Sequence, residues 1–294
     1  MMEFISREPI HKGFSIDKKF RVRDRQGHEY LLRIAPMERY QRRKQDYEYT
    51  LRFLPLGIPM CEPLELGICN EGVYSIQRWI DGIDLHELIP FLSYDEQYSH
   101  GMEAGRALKQ LHKLPAPKHL DSWEAVFRRK TDTIIEYYQK SIIQFPNAQI
   151  LINFIQENIH CVAGRPRAYL HGDYHIGNLM LGVDNKLYII DFSSGICCDP
   201  WEDFGCIPIS AYESPSFASG MIDGYFDKEI PELFWKLLAL YTCCQILSFF
   251  TSSTQRIQNK NYQQRIISLA ENVLQWYDNM MLGVPTWYQS FRKF

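Results

Sequence analysis

The order in which its periodicities occur limits this chain most. "FSIDKKFRVRD" and "HEYLLRIA" alternate in part and bracket the turn signal "DRQGH", which predicts a hairpin. An amphipathic helix is expected next, in "ERYQRRKQDYEYTLRFL", with Tyr40, Tyr47, Leu51 and Leu54 on one face and charge on the other. "PLGIP" ends it, and "EPLELGICNEGVYSIQRWI" reads as two strands joined by the turn Cys69-Asn70-Glu71-Gly72. Beyond "DGIDL" the period is helical, interrupted only by short strand-like pieces at Asn178 to Leu181 and Leu187 to Phe192. Such segregation predicts an α+β protein of two lobes, a small strand-rich N-terminal lobe over residues 1–78 and a larger helical one over 79–294. The boundary is expected near Trp79 to Asp84, with a ligand cleft between the lobes.

Other classes are excluded by composition. The N-terminus, "MMEFISREPIHKG", lacks the basic-then-apolar layout of a secretory signal. The most apolar stretch, Phe234 to Phe250, carries Lys236 and Gln245 and falls short of the ~20 apolar residues of a membrane span, so it predicts a buried helix. Eight cysteines show neither metal-ligand spacing nor the density of a disulfide scaffold, which fits reduced thiols in a cytoplasm. Neither a membrane nor nucleic acid is expected as a partner. Charge is uneven: residues 1 to 52 hold 13 Lys and Arg against 8 Asp and Glu, net +5, and residues 53 to 294 hold 19 against 27, net −8. The first segment suits an anion and the second a cation.

In "YLHGDYHIGNLML", residues 169 to 181, an apolar run is broken by His171, Asp173, His175 and Asn178, and "LYIIDFSSG" sets Asp191 after a second such run. Polar groups at buried strand ends are costly unless they are partnered. Phosphoryl transfer gives them work. The phosphates of a nucleoside triphosphate need hard, oxygen-ligated metal ions such as Mg2+, and the acceptor hydroxyl needs a nearby carboxylate. Asp173 can take or orient the hydroxyl proton, Asn178 can bind one metal through its amide oxygen, and Asp191 can bridge metals as an anionic ligand.

The spacing, "HGDYHIGN" followed thirteen residues after its Asn by "DFSSG", resembles the catalytic segment of the protein-kinase-like superfamily, in the form used by aminoglycoside phosphotransferases and choline kinases. That resemblance implies a bilobal protein-kinase-like fold, with Asp173 as catalytic base, Asn178 and Asp191 as metal ligands and His171 bracing the loop. Gly172, where protein kinases usually have Arg, points to small-molecule kinases. It also implies a degenerate nucleotide loop in "HKGFSIDKKFRV", where Gly13 and Ser15 would let backbone N–H groups approach phosphate. Arg33 of "YLLRI" takes the place of the phosphate-contacting cation, and Glu48 that of its ion-pair partner. Gln77, Arg78 and Trp79 take the place of the hinge, whose backbone would meet the base of ATP or GTP. Arg in place of Lys is more usual in choline-kinase-like members than in aminoglycoside phosphotransferases. His112 and His175 are expected to be structural, with no partner for His112 nearby in sequence. Asp199 and Asp203 of "CCDPWEDFG" are expected to brace the loop or open a helix.

The function so implied is Mg2+-dependent transfer of a γ-phosphate to a hydroxyl of a small, possibly cationic acceptor, an aminoglycoside first, and hence antibiotic resistance. Carboxylates for a polycation are available in Glu213, Asp223, Asp227, Glu229 and Glu232. Choline or ethanolamine would call instead for an aromatic enclosure, for which Tyr212, Tyr225, Trp235 and Tyr241 are candidates. Another metabolite, or a non-catalytic nucleotide-binding module, completes the alternatives. Retention of Asp173, Asn178 and Asp191 argues against the last.

Overall fold

The structure is a computed structural model that describes residues 2–12, 16–193, 195–251 and 258–291, with side chains as far as Tyr288. Gly13 and Ser15 of the expected nucleotide loop lie outside the described residues. Contacts divide the chain into two compact units, Met1–Leu85 with Asn178–Ile196, and His86–Gly177 with Cys197–Phe294.

The first unit is built on an antiparallel sheet of β1 (Ser6–Ile10), β2 (Lys18–Arg23), β3 (Glu29–Ala35), β4 (Pro63–Cys69) and β5 (Gly72–Arg78), in the order β1-β2-β3-β5-β4. Alternation does not reveal β1, because "SREPI" is an exposed edge strand whose Pro9 needs no ladder donor. Val22, Tyr30, Leu32, Ile34, Tyr74 and Ile76 cluster into a core. Since side chains alternate across a strand, burying Leu32 and Ile34 turns Arg33 to the opposite face. There it lies between Lys19 on β2 and Ser75 on β5, its register partners. Gly72 closes the β4–β5 turn at φ 135°, where an added Cβ would meet the Ala35 carbonyl oxygen at 2.2 Å.

Helix α1 (Tyr40–Leu51) buries Tyr49 and Thr50, followed by Phe53, rather than the expected stripe of Tyr40, Tyr47, Leu51 and Leu54, which is only half-buried. The helix stops before a 3-10 turn at Leu54–Leu56, so Leu54 is out of phase with it. The Tyr49 hydroxyl donates to the Ile196 carbonyl at 2.7 Å. A second sheet joins β6 (Gly82–Asp84), β8 (Leu179–Gly182) and β9 (Leu187–Ile189), and a parallel bridge links Met60 to Ile189.

The second unit is helical: α2 (Leu85–Leu88, reaching one residue into the first unit), α3 (Tyr94–Leu111), α4 (Trp123–Gln139), α5 (Ala148–Asn158), α6 (Ile207–Glu213), α7 (Pro215–Phe226), α8 (Glu232–Phe249), α9 (Lys260–Trp276) and α10 (Thr286–Phe291). The pairing of β7 (Ala168–Tyr169) with β10 (Cys197–Cys198) completes it. Ser93 and Glu96 form a capping box that starts α3, satisfying N–H groups left open at the helix end. As its composition predicts, α8 is buried nearly all round, within a core shared with α4, α5 and α9. Among the described residues no helix is long and apolar enough to cross a membrane.

Helices α3 and α7 meet through glycines. An added Cβ on Gly105 would come within 2.1 Å of the Met221 carbonyl oxygen, and one on Gly224 within 2.2 Å of the Met102 carbonyl oxygen. Backbone cannot yield as a side-chain tip can. Gly105→Ala is therefore expected to lower folding stability by about 2 kcal/mol, read as a lower denaturant midpoint at unchanged slope.

Candidate active site

The loop after β7 holds Asp173 in the second unit. Leu170 and His171 are buried, and Gly172 turns the chain at φ 84°, a left-handed conformation that glycine adopts without penalty. Asp203, itself buried, accepts the backbone N–H groups of His171 and Gly172 at 2.8 and 2.7 Å. The Asp173 N–H donates to Nδ1 of His171 at 3.2 Å, so the neutral His171 ring carries its proton on Nε2. The Tyr174 hydroxyl donates to the Ala104 carbonyl, and the Ile176 N–H to the Ser210 hydroxyl. Every turn of the loop thus has a backbone or side-chain hold.

The Asp173 carboxylate stands out from these constraints, with its side chain 45% exposed. Its Oδ1 lies 3.5 Å from Nε2 of His175 and 3.7 Å from the Cys206 thiol. His175 accepts the Gly177 N–H at Nδ1, which leaves Nε2–H facing Asp173 in the neutral ring. Burial and the neighbouring carboxylates of Asp173 and Asp203 push the Cys206 thiol well above its ordinary range, so it meets Asp173 as a weak donor.

His112 has the partners that sequence proximity does not show. Its Nε2 lies 2.9 Å from Asp203 and its Nδ1 3.0 Å from the Tyr225 hydroxyl, from residues 91 and 113 positions away. Burial and the carboxylates of Asp199 and Asp203 hold Tyr225 protonated, so it donates to Nδ1 while Nε2–H donates to Asp203. Asp199 caps the 3-10 helix that begins at Pro200 by accepting the Trp201 N–H, and both its oxygens receive the Arg165 fork at 2.7 and 2.8 Å.

In the first unit, Asn178 precedes β8 and its carbonyl accepts the Ile190 N–H at 3.0 Å, which extends the β8–β9 ladder to the residue before Asp191. Asp191 has φ 58°, a costly conformation for a non-glycine residue and one that gathers at functional positions. Its side chain, 52% exposed, accepts from Nη1 of Arg33 at 2.8 Å. An amide oxygen and a carboxylate are hard donors. Among the described residues no three His, Cys, Asp or Glu side chains form a metal cluster. A donor set this sparse fits Mg2+, which takes one or two carboxylates and completes its shell with water and phosphate.

Arg33 is held differently from expectation. It makes no ion pair with Glu48, which is exposed on α1 and reaches Lys44 at 3.8 Å. Asp17 approaches its Nε at 3.5 Å instead, and the same oxygen of Asp17 meets Arg43 of α1 at 2.7 Å. The reason is helical phase: Arg43 and Asp46, three residues apart and 3.0 Å from each other, lie on the half-buried face of α1, whereas Glu48 is turned outward. Burial opposes the Arg33 charge, but Asp191 and Asp17 outweigh it and hold the guanidinium above its ordinary value. At the expected hinge, Gln77 pairs with Leu31 and Pro63 across the sheet. The backbone N–H groups of Arg78 and Trp79 donate to the carbonyls of Glu62 and Glu29. A bound base would have to meet other backbone groups of that segment.

Most of the candidate acceptor groups are internally committed. Glu213 faces Arg265 and His86, and Asp227 pairs with Lys109 at 2.7 Å. Asp223 is buried between the hydroxyls of Tyr98 and Tyr288. Glu229 and Glu232 are exposed. Of the aromatic candidates, Tyr225 and Tyr241 are buried with bonded hydroxyls, Trp235 packs on Tyr288, and Tyr212 is exposed.

The model of the phosphotransferase enzyme family (APH) matches residues 6–234, and the chain belongs to that family. Its fold is shared with solved small-molecule kinases of low sequence identity. One is a thermostable mutant of the aminoglycoside phosphotransferase APH(4)-Ia, with 16% identity over 92% of this chain and 94% of the other at a TM-score of 0.68. Another is a choline/ethanolamine kinase family protein from Mesorhizobium loti, with 14% identity over 98% and 93% and a TM-score of 0.66. A third is the spectinomycin phosphotransferase APH(9)-Ia in complex with ADP and spectinomycin, with 13% identity over 96% and 93% and a TM-score of 0.60. The sequence-based fold class, an antiparallel N-terminal sheet followed by a helical remainder in the kinase-like manner, is the one observed.

Removing the charge of Asp203 sets three donors against an acceptor of half the capacity. Asp203→Asn is expected to cost about 3 kcal/mol of folding stability, measured by chemical denaturation, because the buried His112 and loop N–H groups lose their anionic partner.

Proposed function

We propose that the protein is a small-molecule kinase that moves the γ-phosphate of ATP or GTP to a hydroxyl group, with an aminoglycoside as the first acceptor to test. The observation that carries this reading is the contrast around Asp173: a half-exposed carboxylate on a loop whose backbone is held by buried Asp203. A general base needs that combination of access and fixed position. Asp173 accepts or orients the proton of the attacking hydroxyl, and His175 Nε2–H, beside it, keeps the carboxylate directed. Asn178 and Asp191 hold Mg2+, which when bound neutralises phosphate charge. Arg33 steadies the phosphates from β3, with Gly13, Ser15 and the Gln77–Trp79 segment as further nucleotide contacts. Positioning and charge neutralisation supply most of the rate.

Membership of the phosphotransferase family and a fold shared with aminoglycoside and spectinomycin kinases support an aminoglycoside acceptor, as does the net −8 of residues 53 to 294. Asp227, Glu229 and Glu232 are the exposed carboxylates for it, Asp227 while pairing with Lys109. A metabolite acceptor such as choline is the second reading, favoured by Arg33 in place of Lys and by the fold shared with a choline/ethanolamine kinase family protein.

Nucleoside diphosphate release from ATP and from GTP, with Mg2+, across aminoglycosides, choline, ethanolamine and small sugars, tests the proposal. Release that depends on one acceptor is expected, and Asp173→Asn should lower it by about 10³-fold with nucleotide affinity near normal. Nucleotide binding without turnover on any acceptor would make the chain a binding module. Asp191→Ala should abolish the strengthening of nucleotide binding by Mg2+; a mutant that kept it would remove Asp191 from the metal site.

A further inference from the structure

Arg33 presents two edges. Its Nη1 meets Asp191, whose side chain is half exposed, while its Nε faces Asp17, whose side chain has no exposed surface. Asp17 is gripped in turn by Arg43 of α1 at 2.7 Å, and Arg43 also meets Asp46 at 3.0 Å. Charge therefore runs from the helix through a strand-end carboxylate to the β3 cation, with the helix supplying the cation and the sheet side the anion. That polarity is the reverse of an Arg33–Glu48 pair. A second constraint makes the arrangement purposeful. Lys19 stands directly opposite Arg33 in the β2–β3 register, and two cations so placed repel. Burial and the Arg33 charge together depress the Lys19 ammonium, which donates to the Lys12 carbonyl at 2.9 Å. Asp17 adds a negative charge on the side of Arg33 that faces α1. At 3.5 Å the Arg33 Nε makes no hydrogen bond to Asp17, so the carboxylate draws that edge of the planar guanidinium by charge and thereby biases the direction of its Nη edge.

We infer that Asp17 is the positioning residue for the phosphate-contacting cation, coupling the placement of α1 to Arg33 through Arg43 in the role expected of Glu48. This rests on the reading of Arg33 as a phosphate ligand. Its expected signature is selective: loss of Asp17 disorients Arg33, so phosphate-bearing ligands lose affinity and the bare nucleoside does not.

Titration calorimetry of the full chain with Mg·ATP and with adenosine (Mg·GTP and guanosine if these bind more tightly) tests it. Asp17→Asn should weaken the triphosphate about tenfold and leave the nucleoside unchanged. Arg43→Gln, a partly exposed helix position that carries the same test if Asp17→Asn does not fold, should do likewise, and the double mutant should be no worse than the poorer single one. Equal weakening of both ligands would reduce Asp17 to a structural role and overturn the inference. A triphosphate bound more tightly by Asp17→Asn would overturn it too, because the carboxylate would then be screening Arg33 rather than aiming it. Arg33→Met decides the underlying reading: if it leaves the triphosphate-to-nucleoside affinity ratio untouched, Arg33 is no phosphate ligand and the inference falls with it. If Arg33→Met lowers the ratio while Asp17→Asn does not, the reading stands and the role of Asp17 alone is refuted.

Discussion

A carboxylate as deeply buried as Asp203 has to be surrounded by donors, and here the donors include the backbone of the loop that carries Asp173. Two are consecutive backbone N–H groups, of His171 and Gly172, and the third is the imidazole of His112. Because one anion accepts all three, the loop cannot shift without leaving a buried charge short of partners, which costs several times what an ordinary hydrogen bond contributes. Tyr225 extends the same constraint by donating to the other side of His112. Rigidity is thus concentrated in the backbone of buried His171 and partly buried Gly172, while the adjacent Asp173 carboxylate keeps its exposure.

Two left-handed residues mark the two candidate segments, and they differ in kind. Gly172 reaches φ 84° without steric cost, so the His-Gly-Asp order is the one that lets its N–H turn toward Asp203. A side chain such as Arg at that position would be strained, which gives a physical basis for the glycine. Asp191 adopts φ 58° despite its Cβ and is kept there by a ladder bond just before it and by Arg33 on its carboxylate. Strain accepted at a half-exposed anion is strain accepted for the direction in which that anion points.

How much of this was legible in the sequence depended on the distance over which each constraint acts. The β2–β3 and β4–β5 hairpins, the buried character of α8 and the motif from His171 to Asp191 rest on local periodicity or fixed spacing, and their elements were found. The edge strand β1 was not, since an exposed strand has no apolar face to alternate. The buried face of α1 was misplaced by extending the helix past its end at Leu51. Long-range electrostatics left no local trace: His112 and Asp203 are 91 residues apart, and Asp17 lies in a run of cations where its sign is unremarkable. The choice between Glu48 and Arg43 turns on helical phase, which one or two residues of error reverse.

The acceptor is the least legible feature for a related reason. A count of carboxylates or aromatics treats each as available, whereas folding commits most of them first. Asp223 and Tyr225 serve to hold α3 against α7 and His112 in place, Tyr241 bonds to Asp199, and Asp227 and Glu213 meet cations of their own chain. Net charge survives this accounting, because long-range potential does not require a free side chain, but specific recognition does. Asp227, Glu229, Glu232 and Tyr212 are the candidates left exposed, Asp227 while pairing with Lys109, so a count of acidic or aromatic residues overstates what is available for recognition.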